Sequence, residues 1–117
     1  MATDLVGNEK LQRFIALLSE LNHQVAEVLQ TGNIEIIYDM NDTVEEMYTI
    51  QSVGEEDAYT AIDEDMQIIC KNFNAVITMI KSNESVFMDK ATSDSVRLFL
   101  RNIFQATVNI VYAYGLA

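Results

Sequence analysis

Eleven carboxylates lie between Gly32 and Met66 with no lysine or arginine among them. They are Glu35, Asp39, Asp42, Glu45, Glu46, Glu55, Glu56, Asp57, Asp63, Glu64 and Asp65. Outside that window seven acids face seven bases, so the whole net charge of −11 belongs to one stretch. A concentration of one sign creates a field, and a field attracts a basic or cationic partner. Carboxylates in this number could dock a basic protein or peptide segment, or imitate a nucleic-acid backbone toward a DNA-binding protein. They could also do no more than keep an apolar bundle in solution. Direct nucleic-acid binding is not expected, because phosphate contacts need a basic patch and the chain has none.

The same oxygens make a poor metal centre. A di-iron bundle takes two Glu-x-x-His pairs, and His23 is the only histidine. The run from Asp63 to Asp65 lacks the glycine at position six and the glutamate at position twelve of a calcium-binding loop. Neither a metal nor another cofactor is expected. The one cysteine, Cys70, stands among Met66, Ile69, Phe73 and Ile77, where a thiol is a small buried hydrophobe. No nucleophile elbow and no phosphate-cradling glycine loop occurs, so no catalysis is expected.

His23 sits opposite Leu18, Leu21 and Val25 by helical spacing, which predicts an exposed imidazole. The segment Glu20-Leu21-Asn22-His23, with Val25 and Leu29-Gln30, resembles the phosphoacceptor segment of one class of sensor histidine kinases. That pattern reads roughly Glu-Leu-Asn-His-Arg-Val-Lys-Asn-Asn-Leu-Gln, and this chain departs from it at Gln24 and Ala26, where the pattern is basic. The resemblance covers residues 20–30 and implies phosphotransfer through His23.

These groups must be carried by helices. The chain has no proline and four glycines, which favours long helices joined by tight turns. Leu11, Phe14, Leu18, Leu21, Val25 and Val28 recur at steps of three and four, closed by Thr31-Gly32-Asn33. A second stripe starts near Ile34 and runs through Ile37, Met40, Val44 and Met47 to a turn at Ser52-Val53-Gly54. Alternation at Ile34–Tyr38 also suits a strand, but the helical register continues beyond it. The third segment, Glu55 to Lys81, aligns Tyr59, Ile62, Met66, Ile69, Phe73, Val76 and Ile80. Glu84 to Lys90 reads as a short helical turn or a linker. A fourth helix is predicted from an N-cap at Thr92 or Ser93, with Asp94 in its first turn and Val96, Leu100, Ile103, Ile110 and Tyr114 on its stripe.

The expected fold is therefore all-α: one domain over 1–117, a compact antiparallel four-helix bundle with short loops. A chain of 117 residues is long enough for a real core. No secretory signal and no membrane-length apolar run is visible, and one cysteine fits a reducing compartment, which points to the cytoplasm. Asn102 to Ala117 carries no charge, so the last helix should be central or lie at a self-association seam. The predicted seam is a two-fold homodimer through Ile103, Val108, Val111, Tyr112 and Tyr114.

The functional expectation is a small acidic interaction module of chaperone, adaptor or inhibitor type. It would hold a basic segment on Glu35, Asp39, Asp42, Glu45, Glu46, Glu55, Glu56 and Asp57. The alternatives are histidine phosphotransfer through His23 and a purely structural oligomer.

Overall fold

A computed structural model of the chain describes residues 9–53 and 62–115. Four helices appear in it: α1 (Glu9–Thr31), α2 (Ile34–Val53), α3 (Asp63–Ser82) and α4 (Lys90–Ala113). A 3-10 turn at Val86–Met88 precedes α4, and no strand occurs among the described residues. Ile34–Tyr38 is helix, as the continuing three-and-four register requires. The second helix runs on through Ser52 and Val53, past the turn expected there, and Gly54 lies outside the described residues. So does the expected start of the third helix at Glu55, together with Tyr59.

The stripes make the core. Phe14, Leu18, Leu21, Val25 and Val28 of α1 are buried with Ile37, Met40, Val44 and Met47 of α2. Met66, Ile69, Phe73, Val76 and Ile80 of α3 meet Val96, Leu100, Ile103 and Ile110 of α4 in the same cluster. Burying one such side chain is worth about 1.5–3 kcal/mol, which outweighs helix propensity and decides which face turns inward.

Polar contacts between helices set their directions. Arg13, early in α1, pairs with Glu46, late in α2. Gln51 at the end of α2 donates to Asp63 at the start of α3 (3.2 Å). Asn102 and Asn109 of α4 donate to Asn72 and Asp65 of α3, in reverse order along the two helices. Asn22 of α1 reaches Thr107 of α4, and Arg97 of α4 reaches the Leu29 carbonyl near the end of α1. Every neighbouring pair is antiparallel. The helices form a square in which α1 adjoins α2 and α4, α3 adjoins α4 and, more lightly, α2, and the diagonals scarcely touch.

Two corrections to the expectation for α4 follow. It occupies a corner of the square rather than the centre. Its N-cap is Asp89, not Thr92 or Ser93: one Asp89 carboxylate oxygen accepts from the Thr92 amide (3.0 Å) and from its hydroxyl. Those hydrogen bonds hold the Asp89 carboxyl below its usual range. The helix therefore starts at Lys90, a turn earlier than the stripe shows, and Asp94 falls outside the first turn.

Where α1 turns into α2 only Gly32 and Asn33 separate the helices. Gly32 has φ +69°, its amide donates to the Val28 carbonyl (2.8 Å), and Asn33 Oδ1 caps α2 by accepting from the Glu35 amide (3.0 Å). Arg97 holds the same end of α1, donating through Nη1 to the Leu29 carbonyl (2.6 Å) with its guanidinium 5.4 Å from the centre of the Phe87 ring.

Two substitutions test these joints by chemical denaturation. A Cβ on Gly32 would meet Phe87 at 3.6 Å, an ordinary contact, so space is not the obstacle. Gly32→Ala should nonetheless lose roughly 1–2 kcal/mol, the cost of a left-handed backbone for an L residue. Thr107 is fully buried, donates to the Phe104 carbonyl (2.6 Å) and accepts from Asn22 Nδ2 (2.9 Å). Thr107→Val keeps the shape but strands the Asn22 amide, and should cost about 1–3 kcal/mol.

Candidate functional site

Along the outside of the α1–α2 pair runs an open groove of about 310 Å³. Arg13, Leu17, Glu20 and Gln24 line it from α1, at steps of four, three and four; Asp39, Asp42, Thr43 and Glu46 line it from α2. Both sets are single helical stripes, brought face to face by the tight turn at Gly32. Leu17 and Thr43, both buried, form the floor, and the carboxylates stand on the rims. Gln24 joins the floor, and its Oε1 is buried without a hydrogen-bond partner among the described residues.

Four carboxylates (Glu20, Asp39, Asp42, Glu46) share this groove with one guanidinium. Arg13 is forked onto Glu46, Nε to Oε2 at 2.7 Å and Nη2 to Oε1 at 3.0 Å, which closes one end. The hydrogen bonds hold the Glu46 carboxyl below its ordinary range and, with the charge of Glu46 and then of Glu20, raise Arg13. With the Arg13 and Glu46 side chains 53% and 44% exposed, solvent screens the pair, so it orients the rim more than it stabilises the fold. Glu20, Asp39 and Asp42 have no ion-pair partner among the described residues.

The structure brings together only part of the acidic window. Asp39, Asp42 and Glu46 reach the groove. Glu35 and Glu45 are exposed on α2 but do not line it, and Glu55, Glu56 and Asp57 lie outside the described residues. Arg13, Glu20 and Gln24, on the α1 side of the groove, were not among the expected site residues. Their own four-three-four spacing is readable on α1; their pairing with α2 is not.

Other candidates fall elsewhere. His23 is exposed, with Glu20 and Glu27 about one turn to either side. Cys70 is half-buried against the core rather than fully buried, and that burial pushes its thiol up, away from reactivity. No group of three or more His, Cys, Asp and Glu able to hold a metal occurs among the described residues. No described helix is long and apolar enough to cross a membrane.

On α4 the expected seam residues separate. Ile103 is wholly buried in the core, so it cannot face a second copy. Tyr114 is half-buried, edge-on to Phe14 at 6.4 Å between ring centres. Val108 and Val111 are half-buried, and Tyr112 is 69% exposed. Tyr38 and Tyr48 of α2 are also exposed, 42% and 57%, and neither lines the groove.

No protein-family model, curated protein or solved structure shows significant similarity to the chain.

The Arg13–Glu46 fork makes a pH prediction. A carboxyl whose pKa is lowered by folding contributes stability above the unfolded value, near about 4.3, and loses it as pH falls through the folded value. Side-chain NMR should find Glu46 titrating below that ordinary value, and Arg13→Ala should move it upward. An unchanged midpoint in Arg13→Ala would mean that the fork does not form in solution.

Proposed function

We propose that the protein is a small acidic interaction module that docks a basic segment of another protein along the α1–α2 groove. One observation carries this reading: the groove gathers four carboxylates against a single guanidinium that one of them already engages. Glu20, Asp39 and Asp42 remain as outward acceptors for lysine or arginine. Repulsion among them costs stability, and an incoming cation relieves it.

The binding is electrostatic in character, hence fast and salt-sensitive. No enzymatic step belongs to this reading, and neither a metal nor a cofactor is required by it. Two finer points go with it: a cytoplasmic setting, which suits the unpaired Cys70, and self-association of the chain through α4. Phosphotransfer through His23 is the lesser reading. Its imidazole is accessible, but Glu20 and Glu27 would repel an incoming phosphoryl group.

Position-specific neutralisation tests the groove. A fluorescent peptide rich in lysine and arginine is titrated against the Glu20→Gln/Asp39→Asn/Asp42→Asn variant. A second variant, Glu45→Gln/Glu64→Gln/Glu84→Gln, removes the same charge from exposed sites outside the groove. Each close charge pair is worth roughly 1 kcal/mol or more when partly desolvated, so the groove variant should lose about tenfold or more in affinity. The control should lose little. Equal losses would reduce the acidic face to a nonspecific, solubilising surface.

A further inference from the structure

The outer face of α4 repeats Asp94, Leu98, Arg101, Gln105, Val108 and Tyr112 at alternating steps of four and three, the spacing of a coiled-coil seam. All are exposed except Val108, which is half-buried; Leu98 and Tyr112 are 55% and 69% exposed. These residues point away from both neighbours, since Arg97 and Thr107 face α1 while Asn102 and Asn109 face α3. Among the described helices α4 is also the one with a net positive charge, three bases (Lys90, Arg97, Arg101) against one acid (Asp94). It stands diagonally across the bundle from acidic α2. Two copies of a chain carrying −11 repel least when they meet here.

We infer that a second copy of this chain docks on this stripe, α4 against α4, antiparallel about a two-fold axis level with Ile103. The inference rests on the self-association named above and adds its face, direction and register. With the axis at that level, Leu98 lies opposite the second copy's Val108, Arg101 opposite its Gln105, and Asp94 opposite its Tyr112. Each pairing is chemically matched. Gln105 Nε2 is engaged by Asn109 Oδ1 (3.1 Å), which leaves Oε1 to accept from Arg101. The Tyr112 hydroxyl donates to the Asp94 carboxylate, and leucine meets valine. A parallel pairing would set Asp94 on Asp94 and Arg101 on Arg101, opposing like charges twice. A head-to-tail pairing of α4 on the next copy's α2 would satisfy charge but leave an open chain rather than a closed dimer.

Cross-linking decides among these. In a Cys70→Ala background, Leu98→Cys and Val108→Cys are made singly and together, and a short bismaleimide is added. Leu98 lies ten residues along the axis from its own symmetry mate, about 15 Å at 1.5 Å per residue, beyond the reagent's span. The double variant should therefore cross-link to a covalent dimer while each single variant does not. Light scattering of the unaltered chain should show dimer at roughly 100 µM, as suits a single-helix interface at the small end of specific contacts. Added salt should raise the dimer fraction by screening the −11 charges, and Leu98→Glu, at an exposed position, should abolish it with the helical circular dichroism intact. Cross-linking by the single variants, or a dimer that salt dissociates, overturns this register while self-association itself stands. A monomer at every concentration overturns both, and the peptide titration of the groove is independent of either result.

Discussion

A two-residue connection governs most of what this molecule presents to its surroundings. Gly32 and Asn33 leave α1 no room to do anything but reverse into α2, and the reversal requires one backbone at φ +69°. Once the two helices lie antiparallel, their inward stripes are committed to the core, and their flanking stripes must face each other. Arg13 then comes level with Glu46, and Glu20 and Gln24 come to line the same groove as Asp39 and Asp42. The acidic groove is a consequence of that register. Phe87 and Arg97 brace the joint from the second hairpin, so the position of α4 depends on it as well.

The two hairpins are held to each other chiefly by apolar burial, with few polar contacts to specify their alignment. Asn22 and Thr107 are the deepest of these. A buried hydroxyl that accepts from one helix and donates to its own backbone has one satisfactory position, whereas leucine against isoleucine tolerates several. This gives the α1–α4 contact a defined register that hydrophobic matching alone would leave loose. On the α3–α4 side the asparagines do similar work nearer the surface, where water competes and each bond contributes less.

Charge is segregated with the same economy. α2 carries five acids and no base, α4 three bases and one acid, and the square arrangement sets these helices at opposite corners. A molecule so polarised offers one face to cations and keeps another on which like molecules can approach. Both proposed contacts use outward stripes that the core leaves free, and neither requires the bundle to open.

Much of the fold was legible in the residues before any coordinates. Apolar side chains at steps of three and four leave one way to exclude water, a helix with that face inward, and the stripes from Leu11 to Val28 and from Met66 to Ile80 became core. The exposure of His23 followed from the same periodicity. What periodicity cannot carry is the relation between helices, because it describes each helix about its own axis only. Glu20 and Gln24 therefore gave no sign of standing across a groove from Asp39 and Asp42, and Glu35 and Glu45 gave no sign of standing outside it. The uncharged run after Asn102 suggested a helix that was either central or at a self-association seam. Tertiary packing gave α4 a corner instead, because Asn102 and Asn109 satisfy their amides against α3 while Ile103 and Ile110 turn to the core. The start of α4 likewise depended on which oxygen could reach the first free amides, and Asp89 reached them a turn before the stripe began. Composition and spacing determined that there would be four helices and which face each would bury; the opposition of their remaining faces, and with it the site, was decided only when those faces met.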